Sequence, residues 1–282
     1  MESSRERALD QRRTIARRLS AELGRHSEIS AILVFGSVAS GQIDERSDID
    51  LFVVCRSAIL PVSERQTILT TLGSGWHQQD QTQDNPLFAF RDQDGVVEGV
   101  FVTLHYQTVD WIDQVLIDVI EKGMLSTPLM PFRAYTLPAL LKRGWLLQDQ
   151  DGTVGRWREQ IQPFPAQLQR HLLDHFIPLL HENVEELVAN AERNLGPRVF
   201  LFRLNWAVDA LIGMLFAVNE MYDPADRRTE HMILPTLNCV PSHFTARLTD
   251  VLEGPFDNEG ARYRAHVFVQ LAQEAIQLAG RP

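Results

Sequence analysis

A Gly-Ser pair and two alternate aspartates constrain this chain more than any other feature of its sequence. The apolar run of residues 30–35 is typical of a buried strand and ends at Gly36 and Ser37. After ten further residues, Asp48 and Asp50 occupy alternate positions at the start of a second apolar run. Side chains at alternate positions of a strand point the same way, so we expect both carboxylates on one face.

This arrangement predicts a cation site next to a phosphate site. Neighbouring carboxylates repel each other, and the pair is costly unless a cation lies between them. Mg²⁺ typically takes one or two protein carboxylates and completes its shell with phosphate oxygens. Gly36 and Ser37 provide a turn whose backbone can approach a phosphate closely. The alternative, two solvated aspartates on an edge strand, is disfavoured because Asp is depleted in strand interiors.

At these residues the chain resembles the DNA polymerase beta-like nucleotidyltransferases, and among them the small bacterial aminoglycoside and lincosamide adenylyltransferases. The resemblance implies that Gly36 and Ser37 lie at the triphosphate of an NTP donor, expected to be ATP. It also implies that Asp48 and Asp50 bind Mg²⁺ and are catalytic.

Other residues are assigned to the same site. Ser47, which directly precedes the first aspartate, is expected to bind a phosphate or to orient that aspartate. By analogy with a lysine of the resembled family, Arg227 is expected to reach the triphosphate. Trp76 and His77 lie in the polar stretch 73–85 and are expected to pin a loop, with stacking on a base or an acceptor ring as the alternative.

The third acid of the resembled family is missing from its expected position. The family pattern places it where this chain has Thr103, which neither binds metal strongly nor accepts a proton at neutral pH. Glu98 is the preferred catalytic replacement, although it needs a bulge at Gly99 to reach the correct face. His105 shares the face of Thr103 and is a second candidate. Carboxylates of the helical part are further candidates: Glu185, Glu186 and Asp209.

The pattern along the chain predicts an α+β fold in two domains. Residues 1–125 combine apolar strands with helical spacing at 5–23 and 110–122, which predicts a nucleotidyltransferase α/β domain with a small mixed sheet. A stretch rich in Gly, Ser and Pro at 123–131 marks the boundary. Residues 126–282 are mostly helical with short connections and predict a helical bundle on the substrate side.

Two local predictions concern turns and breaks. Residues 92–95, Asp-Gln-Asp-Gly, are typical of a turn that leads into a long strand at 96–106. Pro178 is expected to kink or break the helical pattern of residues 163–193.

Composition limits the partners. The formal charge of −10 disfavours broad nucleic-acid binding, which needs basic side chains, and suits a small or cationic acceptor. The two cysteines have neither zinc nor disulfide spacing, so we expect reduced thiols in a cytoplasmic protein. No segment is expected to approach the length and apolarity of a membrane span. The oligomeric state is left open.

The sequence therefore predicts an Mg²⁺-dependent nucleotidyltransferase that moves a nucleoside monophosphate from an NTP to a hydroxyl of a small molecule. The alternative, favoured by Thr103, is a catalytically weak or inactive nucleotide-binding or partner-binding protein on the same fold.

Overall fold

A computed structural model describes residues 4–79, 91–224, 227–255 and 257–280, and the chain divides into two compact units. Unit 1 contains Met1–Pro165 and Pro224–Glu230, and unit 2 contains Ala166–Asp223 and His231–Pro282.

Unit 1 is built on a six-stranded mixed sheet within the described residues. Its strands are β1 Ile29–Phe35, β2 Ile49–Cys55, β3 Ser74–Gln79, β4 Arg91–Val97, β5 Val100–Thr108 and β6 Trp145–Asp149. Their order across the sheet is β3-β4-β5-β2-β1-β6. The pair β2–β5 is parallel and the other pairs are antiparallel.

Helices complete unit 1 and pack on the sheet. They are α1 Ser4–Leu23, α2 Gly36–Ser40, α3 Val62–Thr70, α4 Val109–Leu116, α5 Leu137–Arg143 and α6 Thr153–Gln160. A single apolar cluster joins Leu19 of α1, Val34 of β1, Leu51 of β2 and Leu104 of β5, all of which are fully buried. Since strand residues alternate between faces, the residues between these core positions point to the opposite face.

Unit 2 is helical throughout its described residues. Its long helices are α7 Ala166–Glu192, α8 Pro197–Val218, α10 Phe244–Glu253 and α11 Asn258–Leu278, and the short helix α9 Arg227–Ile233 passes from unit 1 into unit 2. The helix α7 is continuous through Pro178, so the predicted break is absent.

One expectation about membrane spans is wrong. By length and composition α8 is apolar enough to cross a membrane, although 56% of its most apolar window is buried inside the protein. Buried core helices of globular proteins pass the same test, so the feature is weak support for a span.

The predicted fold class is confirmed: a mixed α/β unit precedes a largely helical one. The boundary differs from the predicted 125/126, because unit 1 continues to Pro165. The strand β6 pairs with β1, with Trp145 aligned with Val34, and this pairing holds the later segment on the sheet.

The turn predicted at residues 92–95 lies inside β4 instead. The chain reverses at Glu98 and Gly99, whose φ angles are 52° and 78°, between the paired residues Val97 and Val100. Positive φ at both central residues is typical of a two-residue type I′ hairpin. The ladder to β5 therefore overrides the turn preference of Asp and Gly in β4.

The burial of Cys55 on β2 generates a prediction. Burial raises the pKa of its thiol to about 11, so almost none of it is thiolate at pH 8. A disulfide reagent should therefore titrate Cys239, which is partly exposed, and reach Cys55 only after unfolding. The variant Cys239→Ser should show no reactive thiol in the native state. Rapid reaction of a second thiol in the folded wild type would contradict this burial.

Candidate active site

The register of four strands places four side chains, three of them polar, in a row on the face of the sheet opposite the apolar cluster. Asp50 of β2 is aligned with Phe35 of β1 on one side and with Thr103 of β5 on the other. Thr103 is in turn aligned with Asp94 of β4. Aligned residues of neighbouring strands share a face, so these four side chains project together.

The bare backbone of Gly36 lies directly against Asp50. Gly36 opens the one-turn helix α2 immediately after β1 and has a φ of +65°. A Cβ atom at this position would lie 2.8 Å from Oδ2 of Asp50, closer than normal carbon–oxygen contacts. The next residue, Ser37, is buried, with 7% of its surface exposed. The geometry thus brings together the predicted phosphate turn and one of the predicted metal ligands.

The loop that leads into Asp48 is fixed by a buried arginine of α1. Arg12 has 4% of its surface exposed, and its Nε donates to the carbonyl of Ser47 at 2.6 Å. Its Nη2 donates to the carbonyl of Glu45 at 2.9 Å, and its Nη1 to that of Ala8 at 3.1 Å. Because this guanidinium donates to carbonyls of both α1 and the loop, it holds the loop at a fixed position relative to α1.

Side chains within the loop and Arg228 complete this network. The hydroxyl of Ser47 donates to Oδ1 of Asp44 and accepts from the Asp44 backbone N–H. Nη1 of Arg228 donates to the same hydroxyl at 3.2 Å, and its Nη2 lies 3.7 Å from Oδ2 of Asp44. Hydrogen bonds from the Arg46 N–H and from Ser47, with the charge of Arg228, lower the pKa of Asp44. Because the Ser47 hydroxyl donates its single proton to Asp44, Ser47 fixes the loop here and does not donate to a phosphate.

The structure does not place the other predicted nucleotide-binding residue, Arg227, at this loop. Arg227 forms an ion pair with Glu230 one turn along α9, whose side chain is 7% exposed. The adjacent Arg228 is the residue that contacts the loop before Asp48. The role predicted for Arg227 stays a prediction, and the adjacent Arg228 is a further candidate for it.

Glu98, the preferred catalytic replacement, does not lie at the row of Asp50. It occupies the β4–β5 turn, five residues from Thr103, which corresponds to about 17 Å along a strand. Its Oε1 lies 2.5 Å from Nη1 of Arg18, and half of its side chain is exposed. The bulge that would redirect Glu98 is absent, because the ladder from Val100 to Thr103 is regular.

The sequence prediction missed the carboxylates of β4. Asp94 lies two strands from Asp50 in the same row, which corresponds to roughly 10 Å between their Cα atoms. One step along the strands, Nδ1 of His105 lies 2.7 Å from Oδ1 of Asp92. The alternation that indicates a strand was present in the sequence, because Asp92 and Asp94 stand two positions apart, as Asp48 and Asp50 do. It was interpreted as a turn instead.

The remaining predicted residues are distributed over both units. Trp76 and His77 lie in β3, so the loop prediction is wrong for residues 74–79, while 80–85 lie outside the described residues. Trp76 packs on the core side, and His77 is aligned with Asp94. The alternative acids belong to unit 2: Glu185, Glu186 and Asp209.

The described side chains near this row do not form a complete metal site without ligands from a bound phosphate. Among residues 4–79, 91–224, 227–255 and 257–280, no three or more His, Cys, Asp or Glu side chains come together as a ready metal site. A pair of carboxylates with phosphate oxygens is nevertheless a usual Mg²⁺ environment.

A comparison of two glycines tests the contact between Gly36 and Asp50. Gly36→Ala and Gly41→Ala both force alanine into a positive φ, +65° and +72°, which costs about 1–3 kcal/mol of stability in each case. A Cβ at Gly41 meets nothing within 4 Å, whereas one at Gly36 meets Asp50. Urea unfolding should therefore show comparable losses, but calorimetry with Mg²⁺ and a nonhydrolysable triphosphate should show weakened binding only for Gly36→Ala. Equal binding by both variants would contradict a ligand site at this contact.

Part of this chain matches a known protein family, and its fold is similar to that of a solved structure. Residues 17–84 match the family model described as Polymerase beta, Nucleotidyltransferase. The sequence has no match among curated proteins. Among solved structures, the chain is similar to a nucleotidyltransferase-like protein from Exiguobacterium sibiricum 255-15, with 11% identity, a TM-score of 0.44, and coverage of 95% of this chain and 76% of that one. The resemblance inferred from the Gly-Ser pair and the two aspartates is confirmed by the match of residues 17–84 to this family model.

Proposed function

We propose that this chain is an Mg²⁺-dependent nucleotidyltransferase that moves a nucleoside monophosphate from an NTP, with ATP as the expected donor, to a hydroxyl of a small molecule. One observation carries the proposal: within the segment that matches the family, the backbone of Gly36 abuts the carboxylate of Asp50. The turn can bind the phosphates of a metal-bound triphosphate, and the carboxylate beside it can bind the metal.

The residues present fit Mg²⁺. Asp48 and Asp50 offer hard oxygen ligands from alternate positions, and the absence of a Cβ at Gly36 leaves room beside the second carboxylate. When bound, the metal supplies charge neutralisation at the phosphates of the donor. The protein's own contribution is to hold the triphosphate at Gly36 and Ser37 and to fix the loop before Asp48 through Arg12.

The charge of the chain supports a small acceptor. A formal charge of −10 opposes binding to a polyanion, because such binding depends on neutralising phosphates with basic side chains. Arg228 also contacts the loop next to Asp48, and we expect it to interact with the phosphates of the donor.

A second candidate function rests on Thr103. This residue is aligned with Asp50 where the resembled family has its third acid, so the protein could bind nucleotide without turnover. Calorimetry with Mg²⁺ and ATP alongside a pyrophosphate-release assay separates the two functions. Tight binding with no release against a broad acceptor panel would favour the binding protein.

Asp48, directly before β2, and Asp50 on β2 provide the direct test of transfer. Asp48→Asn and Asp50→Asn preserve size and remove charge, so each should reduce pyrophosphate release at least about 10²-fold. The matched control is Asp110→Asn, which removes an exposed carboxylate in the first turn of α4 and should leave release unchanged. Undiminished release by these two aspartate variants, or none by the wild type, would dismiss the proposal.

The neighbouring arginines of α9 provide a second test. Arg228→Ala should raise the KM for the NTP about tenfold, because it removes one charged hydrogen-bond donor beside the loop. Arg227→Ala removes the same charge from the ion pair with the buried Glu230 and should lower the Tm with little change in KM. The opposite assignment of the two effects would restore the role predicted for Arg227.

A further inference from the structure

The side chains of His105 and Asp92 contact each other on the face of the sheet that carries Asp50. Nδ1 of His105 lies 2.7 Å from Oδ1 of Asp92, and only 18% and 16% of the two side chains are exposed. The register aligns this pair with Phe52, one step along the strands from the row that contains Asp50. The pair is therefore a partly buried element of the same surface, and the proposed function does not yet use it.

The ring of His105 leans over β2 toward Phe35. Their ring centroids are 5.2 Å apart and the rings are tilted by 53°. Since β2 lies between β1 and β5, the backbones that carry the rings are about 10 Å apart, and the rings must meet above β2. Phe35 is aligned with Asp50 and His105 with Phe52, so the rings converge between these two residues. The imidazole thus lies within the candidate site rather than at its edge.

The contact with Asp92 determines which nitrogen of the ring is basic. When the ring is neutral, an ionised Asp92 can only accept the proton of Nδ1, and this tautomer leaves the lone pair on Nε2. The carboxylate also offsets the positive charge that the ring gains when Nε2 takes a proton. A histidine oriented by a carboxylate in this way is the arrangement that general bases use.

We propose that His105 is the general base for nucleotidyl transfer and that Asp92 is its positioning residue; this proposal rests on the proposed function. Nε2 of His105 takes the proton of the acceptor hydroxyl while the acceptor oxygen forms its bond to the α-phosphorus. The bond from that phosphorus to the leaving pyrophosphate breaks, and the pyrophosphate keeps the electron pair. The imidazolium then returns its proton to solvent. Thr103, at the position of the expected acid, has no group that performs this step.

Other titratable groups on the same face are competing bases. Asp50 lies on β2, Asp94 lies beside Asp92 on β4, and His77 is aligned with Asp94 on β3. His105 is preferred because the structure supplies both parts that a base needs, an orienting carboxylate and a ring position above β2. Asp94 or His77 becomes the base if its substitution alone removes the proton-transfer step.

The principal experiment compares two histidines that each face a carboxylate. His105→Gln should lower kcat at least about 10²-fold, leave the KM for the NTP within about twofold, and remove the acidic limb of the pH–rate profile. The control is His26→Gln, because His26 forms a more exposed pair with Glu64 at 3.2 Å and should be replaceable without effect. Calorimetry with Mg²⁺ and a nonhydrolysable triphosphate confirms that each variant is folded and binds the donor.

Two further variants keep the test decisive if glutamine is poorly tolerated. Asp92→Asn retains the size of the side chain but not its charge, so kcat should fall at least about tenfold and the acidic limb should move. A purely structural role for Asp92 would change the Tm and leave the pH profile in place. His105→Ala should recover activity on addition of imidazole, which replaces the base and not the fold.

The outcomes separate the two proposals. Transfer by the wild type that is retained within about threefold in His105→Gln overturns the role of His105 while the proposed function stands. Loss of transfer in Asp94→Asn alone, with His105→Gln active, assigns the base to Asp94. Absence of transfer by the wild type overturns the proposed function and the role of His105 with it.

Discussion

The central row of the candidate site depends on the register of four paired strands. The ladders from β1 to β4 align Phe35, Asp50, Thr103 and Asp94, and a slip of one residue at any ladder would turn one of them into the core. The apolar residues between them, such as Leu51, fix this register because their burial on the other face stabilises only one alignment. The hydrophobic core therefore determines where carboxylates meet, although no core residue belongs to the site.

The fold and half of the site were predictable from the sequence. Gly36, Asp48 and Asp50 were predictable from the local sequence, because turn preferences and the alternation of side chains act over a few residues. Asp92 and Asp94 were missed because their turn preference is overridden by pairing with β5, which is a tertiary effect. Glu98 was misplaced for the related reason that the hairpin turn, with two positive φ angles, lies five residues later than the composition indicated.

Two arginines fix the loop before Asp48, and the composition of the chain does not indicate this role. In a chain with a net charge of −10, Arg12 is buried among carbonyls and Arg228 faces the loop before Asp48. Neither contact follows from periodicity, because Arg12 sits on a helix that is otherwise rich in exposed charge and Arg228 is distant in sequence. Both contacts set the position of a short loop, and through it the carboxylate that follows.

The return of Pro224–Glu230 to unit 1 has a consequence for biosynthesis. A nascent chain that has emerged only as far as Pro165 already holds every described strand of the sheet, together with Asp48, Asp50 and Arg12. Arg228, the second arginine that contacts the loop before Asp48, is encoded more than sixty residues downstream, after α7 and α8. Completion of these contacts therefore waits until just over half of the helical unit has been translated, and a fragment ending at Pro165 retains the sheet without the contact of Arg228.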